Sequence, residues 1–145
     1  LTLTTDASGN LTFAPQVLAV GQTTLEITAL TVNGCTQAFT GKTFTVTVNA
    51  LTGTPSFTTP TLTVCQDAPN TTYTATATNA TGISYALSPE AAGSVNATTG
   101  EVDWSAAFSG QATVTATATG LCGTTEASVT VTVKPNPAPV VQAST

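Results

Sequence analysis

Segments in which apolar and polar residues alternate dominate this chain. The pattern is clearest in residues 43–48, 114–118 and 129–133, where every second side chain is apolar and threonine fills most of the positions between. Strict alternation of this kind predicts β-strands that have one buried face and one solvated face. No stretch of useful length has helical periodicity, so the sequence predicts an all-β protein.

Residues 62–133 predict seven strands separated by turn signals such as Thr99-Gly100 and Ser109-Gly110. The strands are marked, in chain order, by Leu62 and Val64; Tyr73, Ala75 and Ala77; Ile83, Tyr85 and Leu87; residues 94–96; Val102 and Trp104; Val114, Ala116 and Ala118; and Val129, Val131 and Val133. Short strands at this spacing predict an antiparallel β-sandwich of immunoglobulin-like type.

The chain also matches itself. Residues 9–13 recur in pattern as residues 100–104, residues 21–25 as 110–114, Cys35 as Cys122, and residues 43–48 as 128–133. The offset between matching positions falls from 91 to 85 residues, as small loop deletions between tandem domains would produce. We therefore expect three pieces: residues 1–52 as the C-terminal part of one repeat without its opening strands, residues 53–139 as a complete repeat, and residues 140–145 as the start of another.

Proline-containing segments at residues 52–55 and 134–139 follow the two copies at matching places, and they predict extended, semi-rigid joints.

Hydroxyl groups must solvate the surface, because threonine fills 36 positions and only 6% of the residues are charged. Two lysines and no arginine or histidine give a net charge of −5, which argues against a nucleic-acid partner. No apolar run approaches the roughly 18 residues that cross a bilayer. The composition is typical of an extracellular, cell-surface β protein.

The repeat predicts how the three cysteines pair. Cys65 ends the first strand of the complete repeat and Cys122 lies in the turn before its last strand, so we predict a Cys65–Cys122 disulfide that ties the start of the domain to its end. Closing a loop of about 58 residues contributes about 4 kcal/mol in the chain-entropy model. Cys35 occupies the Cys122 position of the first copy, and we expect its partner outside this chain. Three buried thiols, or a zinc site with unfavourable spacing, are the alternatives.

The sequence offers few candidates for catalytic residues. Without histidine there is no conventional Ser-His or Cys-His pair, and neither a nucleophile elbow nor a phosphate-binding glycine loop is present. We therefore predict no catalytic residue, no metal site and no cofactor. Glu101 and Asp103 share one side of a strand, which leaves a paired-carboxylate glycosidase or, with Asp67 or Glu90, a calcium site as alternatives. We favour a solvated strand face.

Four Asn-x-Thr triplets, at Asn10, Asn70, Asn79 and Asn96, are candidate N-glycosylation sites in a host that has the machinery. All but Asn10 lie in or beside predicted turns. In a chain so rich in asparagine and threonine, chance produces such triplets easily, and chance is the interpretation that we favour.

A family resemblance rests on short motifs spread through the complete repeat: Cys65-Gln66-Asp67, Tyr73-Thr74, Ser84-Tyr85, Glu101-Val102-Asp103-Trp104, Ser109-Gly110-Gln111 and Cys122-Gly123. Together they resemble the PKD-like, immunoglobulin-like repeats of large surface proteins in the Bacteroidota. The likeness covers all of the second copy and the first copy from about Gly9. It implies two cysteines at these places and a role in adhesin stalks, including gliding-motility adhesins, or in accessory modules of enzymes exported by the type IX route.

We therefore expect a non-enzymatic structural and adhesive segment of a long extracellular adhesin or filament. Its expected partners are neighbouring repeats, surface polysaccharide or other adhesin chains. An accessory or carbohydrate-binding spacer module of a secreted hydrolase is one alternative. It needs an exposed aromatic platform, whereas Tyr73, Tyr85 and Trp104 all alternate inward. A filament subunit whose unfinished sandwich is completed by a strand of another subunit is the other alternative.

Overall fold

The computed structural model describes residues 17–32, 34–58, 60 and 62–137. These residues form strands, turns and one short 3₁₀ helix, so the all-β prediction is confirmed. The chain divides into two compact units, Leu1–Ala50 and Leu51–Thr145, which we call the N-terminal and C-terminal units. The expected third repeat at residues 140–145, the motif at residues 9–13 and the triplet at Asn10 lie outside the described residues.

Two antiparallel ladders make up the N-terminal unit. Its strands are β1 (Gly21–Glu26), β2 (Ala29–Val32), β3 (Cys35–Ala38) and β4 (Thr43–Val48). β1 pairs with β4 along its whole length, and β2 forms a hairpin with β3. One backbone hydrogen bond extends each ladder towards the other. The Ile27 amide donates to the Lys42 carbonyl at 2.9 Å beyond the end of β1–β4, and the Phe39 amide donates to the Thr28 carbonyl at 2.8 Å beyond the end of β2–β3.

The C-terminal unit contains nine strands and a 3₁₀ helix among its described residues. They are β5 (Ser56–Phe57), β6 (Thr63–Cys65), β7 (Thr71–Thr72), β8 (Ala75–Thr76), β9 (Gly82–Ser88), the helix (Glu90–Ala92), β10 (Gly93–Val95), β11 (Glu101–Trp104), β12 (Gly110–Gly120) and β13 (Gly123–Lys134). One sheet has the order β6-β13-β12-β9 and another β10-β11-β7, while β5 pairs with β8. β6 runs parallel to β13, and the other pairs are antiparallel.

Residues from both sheets bury their side chains in one apolar cluster. In β11, Val102 and Trp104 are buried while Glu101 and Asp103 are exposed, as alternation predicts. β12 and β13 supply the other side of the cluster through their alternate small and β-branched residues. The buried members are Val64, Tyr73, Ala92, Val102, Trp104, Ala112, Val114, Val131 and Val133.

The predicted strand around Tyr73, Ala75 and Ala77 is divided in the structure into β7 and β8, which have different partners. The Tyr73 amide donates to the Gly100 carbonyl at 2.9 Å, continuing the pairing of β7 with β11. One residue later, the Thr74 carbonyl accepts from the Thr58 amide at 3.0 Å and leads into the pairing with β5. The chain therefore changes its pairing partner between Tyr73 and Thr74, from β11 to β5, while apolar and polar residues continue to alternate.

A turn built around Asn96 delivers the chain into β11. The Asn96 side-chain oxygen accepts from the amides of Thr98 and Thr99 at 3.0 and 3.1 Å. Gly100 then takes a φ of +72°, and a Cβ at this position would collide with the Tyr73 carbonyl oxygen. Glycine is required here both by the backbone conformation and by the close approach, and it sets the position of Trp104 four residues later.

Candidate interaction surfaces

β13 spans the C-terminal unit from one end to the other and defines two opposite ends. At the first end, the Thr52 hydroxyl donates to the Gly123 carbonyl at 2.9 Å and the Thr125 hydroxyl donates to the Gly53 carbonyl at 2.8 Å. The beginning of the unit is therefore fastened beside the β12–β13 hairpin. We call residues 51–53 and 120–123 the leading end.

The chain leaves the unit at the other end of β13. Parallel pairing sets Cys65 beside Lys134, and the Gln66 amide donates to the Lys134 carbonyl at 2.9 Å. Asn136 then binds Gln66 twice, through its backbone amide to the side-chain oxygen at 3.0 Å and through its side-chain amide to the Gln66 carbonyl at 3.1 Å. We call residues 62–66 and 134–136 the trailing end.

The structure does not bring the predicted Cys65–Cys122 pair together. Cys122 lies directly before β13 at the leading end, and Cys65 pairs with the last residue of β13 at the trailing end. β13 has 12 residues, so about 36 Å separates its two ends at roughly 3.3 Å per residue. A disulfide needs Cα atoms within about 7 Å of each other. Cys35, Cys65 and Cys122 are all exposed, which contradicts the alternative of three buried thiols.

The aromatic residues expected to point inward do so. Tyr73, Tyr85 and Trp104 have only 0%, 8% and 2% of their surface exposed. The Tyr85 hydroxyl oxygen accepts a hydrogen bond from the Ala75 amide at 2.9 Å. Burial raises the pKa of the Tyr73 hydroxyl to about 12. These three rings therefore stabilise the core, and none of them forms a surface on which a sugar could stack.

The candidate carboxylates lie on a solvated strand face. Glu101 and Asp103 are exposed on the same side of β11, and Glu101 accepts a hydrogen bond from the Asn70 side chain at 3.0 Å. Asp67 and Glu90 are exposed in a turn and in the 3₁₀ helix. Among the described residues, no group of three or more His, Cys, Asp or Glu side chains is arranged to hold a metal ion.

The three described glycosylation candidates lie at the surface, and each side chain takes part in a local hydrogen bond. Asn79 has a φ of +55° and donates to the Leu51 carbonyl at 2.9 Å. Asn70 donates to Glu101, and Asn96 accepts the two turn amides described above. The three asparagines are exposed, and modification at these positions stays a prediction.

The N-terminal unit presents an apolar surface along its β1–β4 ladder. Leu25 pairs with Phe44 across this ladder, and their side chains are 42% and 60% exposed. Nearby Val20 and Ile27 are 66% and 43% exposed. In the C-terminal unit, the matching face of β12 and β13 is covered by Tyr73, Val102 and Trp104. The Leu25–Phe44 face is therefore a candidate surface for a partner, and the sequence pattern alone did not distinguish it from a buried face.

Comparisons with known proteins identify no family for this chain. No protein-family model matches the sequence, and no curated protein is significantly similar to it. The part of the chain that the structure describes has no helix long and apolar enough to span a membrane. The function therefore has to be inferred from the fold and the surfaces of the molecule.

Proposed function

We propose that this chain is a non-enzymatic structural and adhesive segment of a long extracellular surface adhesin or filament, built from tandem immunoglobulin-like, PKD-like β-sandwiches. The observation that carries the proposal is a strand pairing that occurs twice in the same register. In β1 and β4, Gly21 pairs with Val48 and Leu25 with Phe44. In β12 and β13, the positions that match them in sequence are paired in the same way, with Gly110 opposite Val133 and Val114 opposite Val129.

The ends of the C-terminal unit support a role as a spacer. The chain enters beside the β12–β13 hairpin and leaves at the far end of β13, about 36 Å away at roughly 3.3 Å per residue. A domain that is entered at one end and left at the other adds length with every copy. Such an array holds a binding region away from the cell surface.

The segment that leaves the unit is held in a defined direction. Asn136 lies between Pro135 and Pro137, and both of its hydrogen bonds go to Gln66. Proline restricts the backbone to extended conformations, and the double contact fixes where the segment starts. A stiff joint of this kind suits a stalk that must keep its reach.

Surface labelling tests the proposal in the source organism. Antibodies raised against the 145-residue chain should bind intact cells, and protease treatment of intact cells should remove the signal. Immunogold electron microscopy should then place the label on projections from the cell. Signal that appears only after permeabilisation would contradict an extracellular role, and an open reading frame with a single copy of the repeat would contradict the array.

One observation favours a filament subunit as a second candidate. The Leu25–Phe44 face is exposed, whereas its counterpart is covered, so a strand or sheet of another subunit could complete it. Light scattering of the purified chain tests this with Phe44→Asp and, as a matched control, Thr45→Asp at the next, oppositely directed position. Assemblies that Phe44→Asp dissolves and Thr45→Asp leaves intact support the candidate. A chain that is monomeric at all concentrations contradicts it.

The carbohydrate-binding spacer module has less support, because Tyr73, Tyr85 and Trp104 are buried. A glycan array probed with the whole chain separates this alternative from the leading proposal. Selective binding to one polysaccharide would favour a module attached to a hydrolase. Loss of that binding in Phe44→Ala would then locate the binding site on the exposed Leu25–Phe44 face.

A further inference from the structure

The Leu25–Phe44 face has a counterpart in the C-terminal unit, where it is covered. The β1–β4 ladder has the same register as the β12–β13 ladder at the positions that match in sequence. On the C-terminal unit, Val102 and Trp104 of β11 share the apolar cluster with this face. Among the described residues of the N-terminal unit, the two ladders have two strands each and no strand takes the place of β11. The exposed apolar side chains of the face mark the place where such a strand would pack.

The sequence ahead of β1 contains a segment that matches β11. Residues 9–13, which lie outside the described residues, match residues 100–104 in pattern. The apolar positions coincide, since Leu11 stands at the position of Val102 and Phe13 at that of Trp104. Both of these β11 residues are buried, whereas the alternate residues of β11 are exposed. The chain therefore carries a segment with the apolar pattern that covers this face in the C-terminal unit.

We propose that the Leu25–Phe44 face is the docking site of residues 9–13 of the same chain, seated as residues 100–104 are seated against β12 and β13. The inference rests on the proposed tandem sandwiches and deepens that proposal, because it closes the N-terminal sandwich from within the chain. It names a different occupant from the filament candidate, which requires a second subunit on the same face.

The side chains on the two sides of the contact are matched in size. In the C-terminal unit the large Trp104 shares the core with the smaller Val114 and Val129. In the N-terminal unit the smaller Phe13 would meet Leu25 and Phe44, which are larger than the valines that they match. Exchanging volume between facing positions in this way keeps the packing density that a protein interior requires.

The connection to β1 is long enough for this docking. Residues 105–109 lead from β11 to β12 in the C-terminal unit, and residues 14–20 are available for the same connection in the N-terminal unit. Residues 14–20 reach at most about 23 Å when fully extended. Sheets that pack face to face are only about 10 Å apart. The segment can therefore reach the face of its own unit without help from another chain.

Nuclear magnetic resonance of the whole 145-residue protein tests the docking directly. Isotope-labelled chain is mixed with unlabelled chain, so that nuclear Overhauser effects within one chain are recorded separately from those between chains. We expect contacts from the Phe13 ring to the Leu25 methyl groups and to the Phe44 ring within one chain. The same contacts seen only between chains would make a second copy the occupant. A Phe13 ring with no contact to the face would leave the face open, and either result overturns the proposal.

Two variants test whether the contact stabilises the N-terminal unit. Phe13→Asp sets a carboxylate against the apolar face, whereas the control Thr12→Asp sets one at the position that matches the exposed Asp103. Phe13→Asp should speed amide exchange in β1 and β4 by at least about tenfold, because a carboxylate without a partner is not buried in an apolar contact. Thr12→Asp should change that exchange by less than about twofold.

Exchange in β12 and β13 is the internal reference and should be the same in the parent protein and in both variants. Equal exchange of β1 and β4 in the two variants would refute the docking. None of these measurements depends on where the protein resides in its organism, and surface labelling does not depend on residues 9–13. Failure of the docking and failure of the proposed function are therefore distinguishable.

Discussion

Tyr73 and Trp104 meet edge to face in the core of the C-terminal unit, with ring centroids 6.4 Å apart and ring planes inclined by 76°. Trp104 also donates its indole N–H to the Thr71 hydroxyl at 3.2 Å. Edge-to-face pairs stabilise a protein by about 0.5–1.5 kcal/mol beyond their area burial. The two residues come from β11 and from the segment between β7 and β8, so the contact fixes the side of the core opposite β12 and β13.

We expect Trp104→Ala to lower the free energy of unfolding of the C-terminal unit by about 3–5 kcal/mol, because it removes a fully packed aromatic side chain. Urea unfolding followed by far-ultraviolet circular dichroism measures the change. Leu121→Ala is the matched control, since Leu121 is 76% exposed and should change the free energy by no more than about 0.5 kcal/mol. Similar losses in the two variants would show that Trp104 is not part of a tight core.

Alkaline pH should destabilise the fold through Tyr73. Its pKa is raised to about 12 by burial, whereas the hydroxyl of the unfolded chain ionises near its model value of 10.0. Between these two values the unfolded chain binds fewer protons than the folded one, so the free energy of unfolding falls as pH rises, by up to about 1.4 kcal/mol per pH unit. The contribution is complete below pH 10 and is lost as pH passes 12.

Tyr73→Phe isolates this effect, because every other titrating group is common to both proteins. Unfolding measured across this alkaline range should show a shallower pH dependence in the variant, by the slope of one proton. Parallel curves for the two proteins would mean that Tyr73 titrates normally and is accessible to water.

Gly100→Ala should reduce stability by at least about 2 kcal/mol. The residue has a φ of +72°, and the added methyl group would collide with the Tyr73 carbonyl oxygen. Gly82→Ala is a suitable control because nothing lies within 4 Å of the Cβ it would add. Thermal unfolding of both variants compares them directly. Equal midpoints would show that the Asn96 turn relaxes without cost.

The sequence predicted the long strands well because their alternation extends over many residues. β12 is buried at Val114, Ala116 and Ala118 as the pattern indicated, and Trp104 points into the core as expected. In β13, Val131 and Val133 are buried and Val129 is half-buried. The alternation of apolar and polar residues indicates which face of a strand is buried, but it does not depend on which strand pairs with it. The change of partner beside Tyr73 therefore left no trace in the pattern.

The separation of Cys65 from Cys122 has a related cause. Position along the chain suggested that Cys65 and Cys122 lie together, which would need the end of β6 to lie beside the start of β13. β6 has only three residues, and nothing in so short a strand distinguishes parallel from antiparallel pairing. The observed parallel register, with Val64 opposite Val133, carries Cys65 to the other end of the domain.

The stiffness of the joint depends on Gln66, and hydrogen exchange can measure it. Asn136 is flanked by prolines, so it has the only backbone N–H in residues 135–137, and that group donates to the Gln66 side chain at 3.0 Å. Gln66→Ala removes this acceptor but keeps the Gln66 carbonyl that binds the Asn136 side chain. Losing about 1.4 kcal/mol of local stability should make the Asn136 amide exchange about tenfold faster.

Gln111→Ala, at an exposed position of β12, should leave that exchange rate unchanged. Amide-resolved exchange by nuclear magnetic resonance compares the two variants with the parent protein. If Asn136 exchanges at the rate of an unstructured peptide already in the parent protein, the contact to Gln66 does not persist in solution. The joint would then be stiffened by its prolines alone, and no contact would fix the direction in which it leaves the unit.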